Sequence, residues 1–538
     1  MSASKTSRGL IAGLVLAATG AAAQQTASTG AQTPVQNTPM SAIDWLSTSV
    51  VTPASAPFGG TPGANLTAIP GEAPVSSGAG IEPVSVTALD QPSLSALGLL
   101  PVLKTGLPRG LWGNTPEADL ARLLRKERLD TLPAIQSLLL TLLLAELDPP
   151  RFTNQTKGQS LFLARVDRLL DLGALEPAFA LLQEAGPNDP DRFRRLFDAA
   201  LLLGEEDQAC VALRDTPTIS PSFPARIFCL ARSGDWPAAA LSFSTARSLG
   251  QIDPQIEPLL ERFLDPELAE ESDDLAAPRH PTPLVFRLME AIGQPLSTTT
   301  LPVAFSQADL RANTGWKTRI EAAERLARMG AIDPNQLLGL YTETEAAASG
   351  GVWNRVAAVA ALDAAVTARS VDAVEAALPR AFSALEEVEL EPQLAALYAQ
   401  PLAQMPLTGD PARIAFRLGL LSEDYETIAR ARTPQDPDEA LLIGVAQGST
   451  RGLAASDALG LALKAVFDAA PAAPDSYSDL LPADRLGEAM LRAIDDVTEG
   501  AKGDYRRVIA GLSLLRHVGL ESTARRAALE LVVLERRG

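Results

Sequence analysis

Histidine is nearly missing from this chain, with His280 and His517 the two in 538 residues. Chemistry that depends on imidazole, from triad proton transfer to histidine-rich zinc sites, has almost no material to work with. His280 adjoins Pro281, and His517 ends an apolar run just before Gly519. A basic ring in the last turn of a helix is favoured by the helix dipole, which accounts for His517 without catalysis. Cysteine is as scarce, with Cys210 and Cys229 alone. No GxSxG elbow, P-loop or GxGxxG is present, so no catalytic, metal-binding or cofactor-binding residue is assigned. Carboxylates are plentiful, and Glu386, Glu387, Glu389 and Glu391 form the densest group in the C-terminal part. Such a run is expected to be a solvated helix face.

Long hydrophobic runs are also few. Residues 132–147 carry two leucine triplets, but Pro133 opens the run and Glu146 and Asp148 close it. It is shorter than the 20 or so apolar residues needed to cross a bilayer, and a buried core helix is expected. Near the start, Lys5 and Arg8 precede the uncharged apolar residues 9–23, which end in Ala21, Ala22 and Ala23. That is the form of an export signal, with cleavage expected after Ala23 and no Cys following to accept lipid. An uncleaved anchor is the alternative. The cleaved product is expected to be periplasmic or secreted, with no stable membrane insertion.

Positive charge is in deficit. There are 46 Lys and Arg against 65 Asp and Glu, for a formal net charge of −19, and loss of Lys5 and Arg8 takes it to −21. A field of that sign disfavours nucleic acid and anionic lipid and suits a basic partner.

What is present falls into distinct stretches. Residues 24–110 are rich in Ser, Thr, Pro, Gly and Ala and poor in charge, and are expected to form a disordered linker. Apolar islands interrupt it. Ile43, Trp45 and Leu46 form one, read either as a docking motif or as a segment that folds back on the helices; 94–103 forms another. Leu111 and Trp112 are expected to fold back, because helices begin beside them. Thr115, Pro116 and Glu117 read as a capping hydroxyl, a first-turn proline and a first-turn acid. From there, runs of roughly 10 to 18 residues with helical periodicity alternate with Gly, Pro or Asp-Pro breaks, and no alternating β-branched run appears. The fold class expected is all-α, with helical repeats over 111–265, a Pro-rich acidic seam over 266–302 and degenerate repeats over 303–538.

The repeat is explicit in three places. Phe162, Gly173 and Ala178, then Phe193, Gly204 and Ala209, then Phe223, Gly234 and Ala239 share one spacing, and the glycines lie 31 and 30 residues apart. Glycine permits the tight turn between two helices, and alanine lets the neighbouring helix approach closely. The third copy adds Trp236, Phe243 and Ala246, and Phe223 is expected to pack into that junction. On this register Cys210 and Cys229 lie on neighbouring antiparallel helices, and export favours a disulfide between them over two buried thiols.

The run from Gly234 to Ala246 resembles the turn and second helix of the tetratricopeptide repeat, and the likeness covers residues 161–250, with an echo at Gly519 and Ala524. The period is shorter than that family's, and Gly330 and Gly419 lack the alanine five residues on. The resemblance implies a TPR-like α-solenoid whose groove holds a peptide or protein segment, and hence a non-enzymatic scaffold or adaptor whose partner is another envelope protein. The rival expectation is a peptidoglycan hydrolase or an accessory of a cell-wall enzyme, since some murein-cleaving enzymes carry long helical solenoids. A second resemblance, over Gly106 to Trp112 and the leucine-rich helix beyond, is to alphaproteobacterial exported proteins labelled antifreeze glycopeptide polyprotein. The regular threonine array that an ice-binding surface needs is not visible.

Overall fold

Prolines mark the helix starts, as their locked φ and missing N–H suit the first helical position. In the computed structural model, which describes residues 93–152, 160–271 and 273–534, Pro190, Pro334 and Pro437 each sit at the first position behind an aspartate cap. The Asp189 carboxylate accepts the N–H groups of Asp191 and Arg192, and Asp436 accepts that of Glu439. Thr115 departs from the expected cap. Its hydroxyl is buried without a partner, and the helix begins at Glu117, whose own N–H donates to the Phe152 carbonyl.

Twenty-five α-helices follow one another in the described residues, without a strand. The first nine are α1 (Val102–Thr105), α2 (Glu117–Lys126), α3 (Pro133–Leu144), α4 (Ser160–Asp171), α5 (Leu175–Ala185), α6 (Pro190–Leu203), α7 (Glu206–Asp215), α8 (Phe223–Arg232) and α9 (Trp236–Ser248). The middle group is α10 (Glu257–Leu264), α11 (Pro266–Glu271), α12 (Pro283–Ala291), α13 (Ser306–Asp309), α14 (Trp316–Arg328), α15 (Pro334–Tyr341), α16 (Val352–Thr367), α17 (Val371–Glu386) and α18 (Glu391–Ala403). The last are α19 (Gly409–Leu421), α20 (Tyr425–Ala431), α21 (Pro437–Gln447), α22 (Ala458–Asp468), α23 (Leu486–Gly500), α24 (Tyr505–His517) and α25 (Glu521–Val533). The described residues lie in one compact unit, and most sequential helices pack on one another.

One turn recurs through this series. Gly173, Gly204 and Gly234 have φ of 76°, 83° and 84°, and in each case the next N–H donates to a carbonyl five residues back, at 2.8–3.0 Å. Gly519 does the same at φ 90°. So do three residues that are not glycine: Arg369, Glu389 and Asp484, with φ of 51°, 59° and 58°. At six of these places this is the left-handed helix ending that satisfies orphan carbonyls, while Asp484 closes a run of turns after the 3-10 segment Asp475–Tyr477. The same bond closes the turns at Gly250, Gly293, Gly330 and Gly448, but at the seven places named first a new helix starts two residues later. The residue five positions after the turn is Ala178, Ala209, Ala239, Val374, Leu394, Ala489 or Ala524, and each has 0% of its surface exposed. The residue nine positions after is also apolar and buried throughout, from Leu182 to Ala528.

Order begins earlier than the composition of the linker suggests. Residues 93–110, expected to be disordered, pack against the helices: Ser95 and Leu107 are buried, and Leu111 and Trp112 after them are fully so. Backbone bonds from Leu99 and Leu100 to the Leu144 carbonyl hold this segment there, as does Arg165 on α4. Its guanidinium donates to the carbonyls of Ser95, Leu97, Leu143 and Ala145, tying the incoming strand-like segment to the end of α3. With no carboxylate among these partners, burial lowers the Arg165 pKa to about 10. The export signal and the Ile43, Trp45 and Leu46 island lie outside the described residues.

The last helices return to the first. α23 packs on α2 and α3, and α25 packs on α3, α19 and α21. The seam region is bridged too: α12 lies against α6 and α10, and Gln307 donates to the Gly173 carbonyl at 2.7 Å.

Candidate partner-binding grooves

The three Phe–Gly–Ala sets occupy the places that make two helices fit. Phe162, Phe193, Ala178, Ala209, Ala239, Phe243 and Ala246 are buried, and the three glycines carry the turns. Phe223 differs from expectation. It is half-buried at the first position of α8, while Phe228, one turn further in, is the buried ring that meets Phe197 and Phe263. Cys210 on α7 and Cys229 on α8 form a disulfide, as the repeat register implies. Linking positions 19 residues apart stabilises by roughly 3 kcal/mol in the chain-entropy model.

Trp236 has another role than core packing. It starts α9 with 46% of its surface exposed, its ring 5.9 Å from Phe263. The two rings border a cleft of about 600 Å³ that also takes in Phe228, Arg232, Glu206, Arg287, Glu290, Arg311 and Asn313. The charged groups alternate. Arg232 donates to Asp207 at 2.8 Å, Arg287 donates to Glu206 at 2.6 Å and to Glu290 at 2.5 Å, and Arg311 donates to Glu290 at 2.9 Å. Burial opposes the charge on Glu290, but the hydrogen bonds and charges of Arg311 and Arg287 prevail and hold its pKa below the ordinary range. Burial likewise opposes the Arg287 charge, and Glu206 and Glu290 outweigh it, raising its pKa. Glu290 is thus held as an anion by arginines, and with Asp207 counted beside Glu206 and Glu290, three acids stand against Arg232, Arg287 and Arg311.

Trp236 and Gly234 were legible in the repeat; the opposite wall was not. Arg287 and Glu290 come from α12 in the seam, and Arg311 and Asn313 from the loop before α14, with Arg287 lying 81 positions from its partner Glu206. No local spacing announces such a pairing.

A second groove runs between α16 and α17. About 780 Å³ in volume, it is lined by Ala357, Ala358, Ala361, Ala373, Ala376 and Ala377, with Asn354, Arg355 and Arg380 among its polar groups. Arg355 is fixed by Glu324, whose carboxylate it meets at 2.6 Å through two nitrogens and which also accepts the Tyr341 hydroxyl at 2.8 Å. Arg380 is exposed. Short side chains on both walls leave room for an inserted segment.

Nothing in these grooves forms a nucleophile–base pair. Among the described residues, no group of three or more His, Cys, Asp or Glu could hold a metal ion, and no helix is long and apolar enough to cross a membrane. No family model, curated protein or solved structure matches this chain.

Proposed function

We propose that this chain is a non-enzymatic scaffold: a TPR-like α-solenoid, exported to the periplasm, that holds an extended segment of another envelope protein. The observation that carries this reading is one turn that opens a new helix at seven places along the chain, at irregular spacing, each copy followed by buried positions five and nine residues on. A chain that repeats one helix-pairing unit builds long surfaces in place of one enclosed centre. The alanine groove of α16 and α17 supports it, since its walls are open and unfilled. The acidic balance favours a basic partner by electrostatic steering.

Photo-crosslinking amino acids at Ala357 and Ala376 test the reading in cells. A discrete protein adduct is expected from both positions. Release of soluble muropeptides when purified protein is incubated with murein sacculi, abolished by a single Glu→Gln change, would replace the scaffold with a cell-wall hydrolase.

A further inference from the structure

The Trp236 cleft is donor-rich. The indole Nε1–H of Trp236 and the side-chain amide of Asn313 have no hydrogen-bond partner among the described residues. Arg311 uses Nε on the Ala308 carbonyl and one terminal nitrogen on Glu290, which leaves its other terminal nitrogen unengaged. Arg232, 41% exposed in its side chain, likewise uses Nε and one terminal nitrogen on Asp207. Of the acceptors, Glu206 Oε1 and Glu290 Oε2 are held by arginines, while Glu206 Oε2 is buried away from the cleft surface. Beside these donors stand the rings of Trp236 and Phe263, tilted at 44° to each other, with Phe263 stacked on the buried Phe228.

We propose that this cleft binds a proline-rich, extended segment of a partner protein. The inference rests on the scaffold reading and specifies the chemistry of one of its sites. Proline offers a carbonyl and no N–H, so a proline-rich stretch presents acceptors without donors, the complement of this rim. Its left-handed extended form is preset, and its rings lie flat on aromatic surfaces. An acidic ligand would meet Glu206 and Glu290, and a basic one would meet three arginines, so an uncharged segment suits the balanced wall. Trp and Arg are also the residues that most often dominate protein interfaces.

Isothermal titration of the signal-free protein with decaproline, and with a Gly–Ser peptide of equal length, tests this. Decaproline is expected to bind and the Gly–Ser peptide is not. Trp236→Ala should weaken binding roughly tenfold or more, and Asn313→Ala about fivefold. Arg122→Ala, on the exposed face of α2 outside both grooves, should change nothing, and unchanged disulfide and circular dichroism would show that each variant is folded. No heat with decaproline at millimolar concentration, equal binding of the Gly–Ser peptide, or full affinity in Trp236→Ala would overturn the proposal. Benzoylphenylalanine at position 236 that crosslinks to residues 24–92 of the same chain would overturn the partner in favour of self-occupancy. Adducts from Ala357 and Ala376 are unaffected by any of these results, so the scaffold reading stands or falls separately.

Discussion

The Glu530 carboxylate accepts the backbone N–H of Ala134, its two oxygens at 3.0 and 2.8 Å, across 396 positions of chain. Pro133 opens α3 without a side-chain cap of its own, so an acid on the final helix serves as the cap for one of the first. Glu530 is buried, so its charge is placed against the positive end of a helix and away from water. Glu530→Ala removes that acceptor and leaves a donor unsatisfied. A loss of about 1–2 kcal/mol is expected in urea unfolding, with Glu530→Gln losing less because its carbonyl still accepts.

Gly487 holds the same junction from the other side. Its N–H donates to the Leu111 carbonyl at 2.8 Å, and an added Cβ would lie 2.6 Å from the Trp112 ring. Trp112 is fully buried and has no room to yield. Gly487→Ala should therefore cost about 1–3 kcal/mol by overpacking. Gly339, inside α15 with open space around it, gives the opposite result: Gly339→Ala should stabilise by up to about 1 kcal/mol. Paired thermal melts check both signs.

The repeated turn makes a prediction that depends on backbone and not on contacts. A Cβ at Gly234 meets nothing within 4 Å, so Gly234→Ala should cost about 1 kcal/mol through its φ of 84° alone. Arg369 occupies the equivalent place at φ 51°. Arg369→Gly should be neutral or stabilising by up to roughly 1 kcal/mol. Destabilisation by Arg369→Gly in chemical unfolding would remove this turn from the series.

Glu127, at the end of α2, titrates far from the usual carboxylate range. Burial, and then the charge of Asp495 on α23, raise its pKa to about 8, against a smaller opposing effect of Arg168. The folded pKa stands above the unfolded value, so the carboxyl favours the fold when protonated. Its contribution is whole below about 4.5 and is lost as the pH climbs toward and through 8. Glu127→Gln should match the parent in acid and exceed it in stability above pH 8, as unfolding at a series of pH values would show.

Aromatic truncation separates the two phenylalanines of α8. Phe228→Ala should cost about 3–5 kcal/mol, since that ring is buried among Phe197 and Phe263. Phe223→Ala should cost clearly less, because its ring is half-buried at the helix start.

Helical character was legible from local order: proline and aspartate at helix starts, glycine at helix ends, and small residues at one offset from the turn. Three of the seven turns escaped notice because Arg369, Glu389 and Asp484 stand where glycine is the usual signal. At Arg369 and Glu389 the flanking helices, with Val374, Leu378, Leu394 and Tyr398 at the two buried offsets, hold the backbone in a conformation the residue itself disfavours. The ordering of residues 93–110 was hidden for a related reason. It comes from Arg165, whose four carbonyl partners lie on two separate segments, together with backbone bonds from Leu99 and Leu100 to Leu144 and from Glu146 to Leu100.

Local chemistry in the chain thus suffices for helices, their ends, the three-copy spacing and the pairing of Cys210 with Cys229, because each depends on neighbours a turn or a hairpin away. The opposite wall of the Trp236 cleft, the alanine groove and the capping of α3 by Glu530 depend on side chains brought together across tens to hundreds of positions. Those meetings join segments far apart in the chain, which no single residue or local spacing specifies.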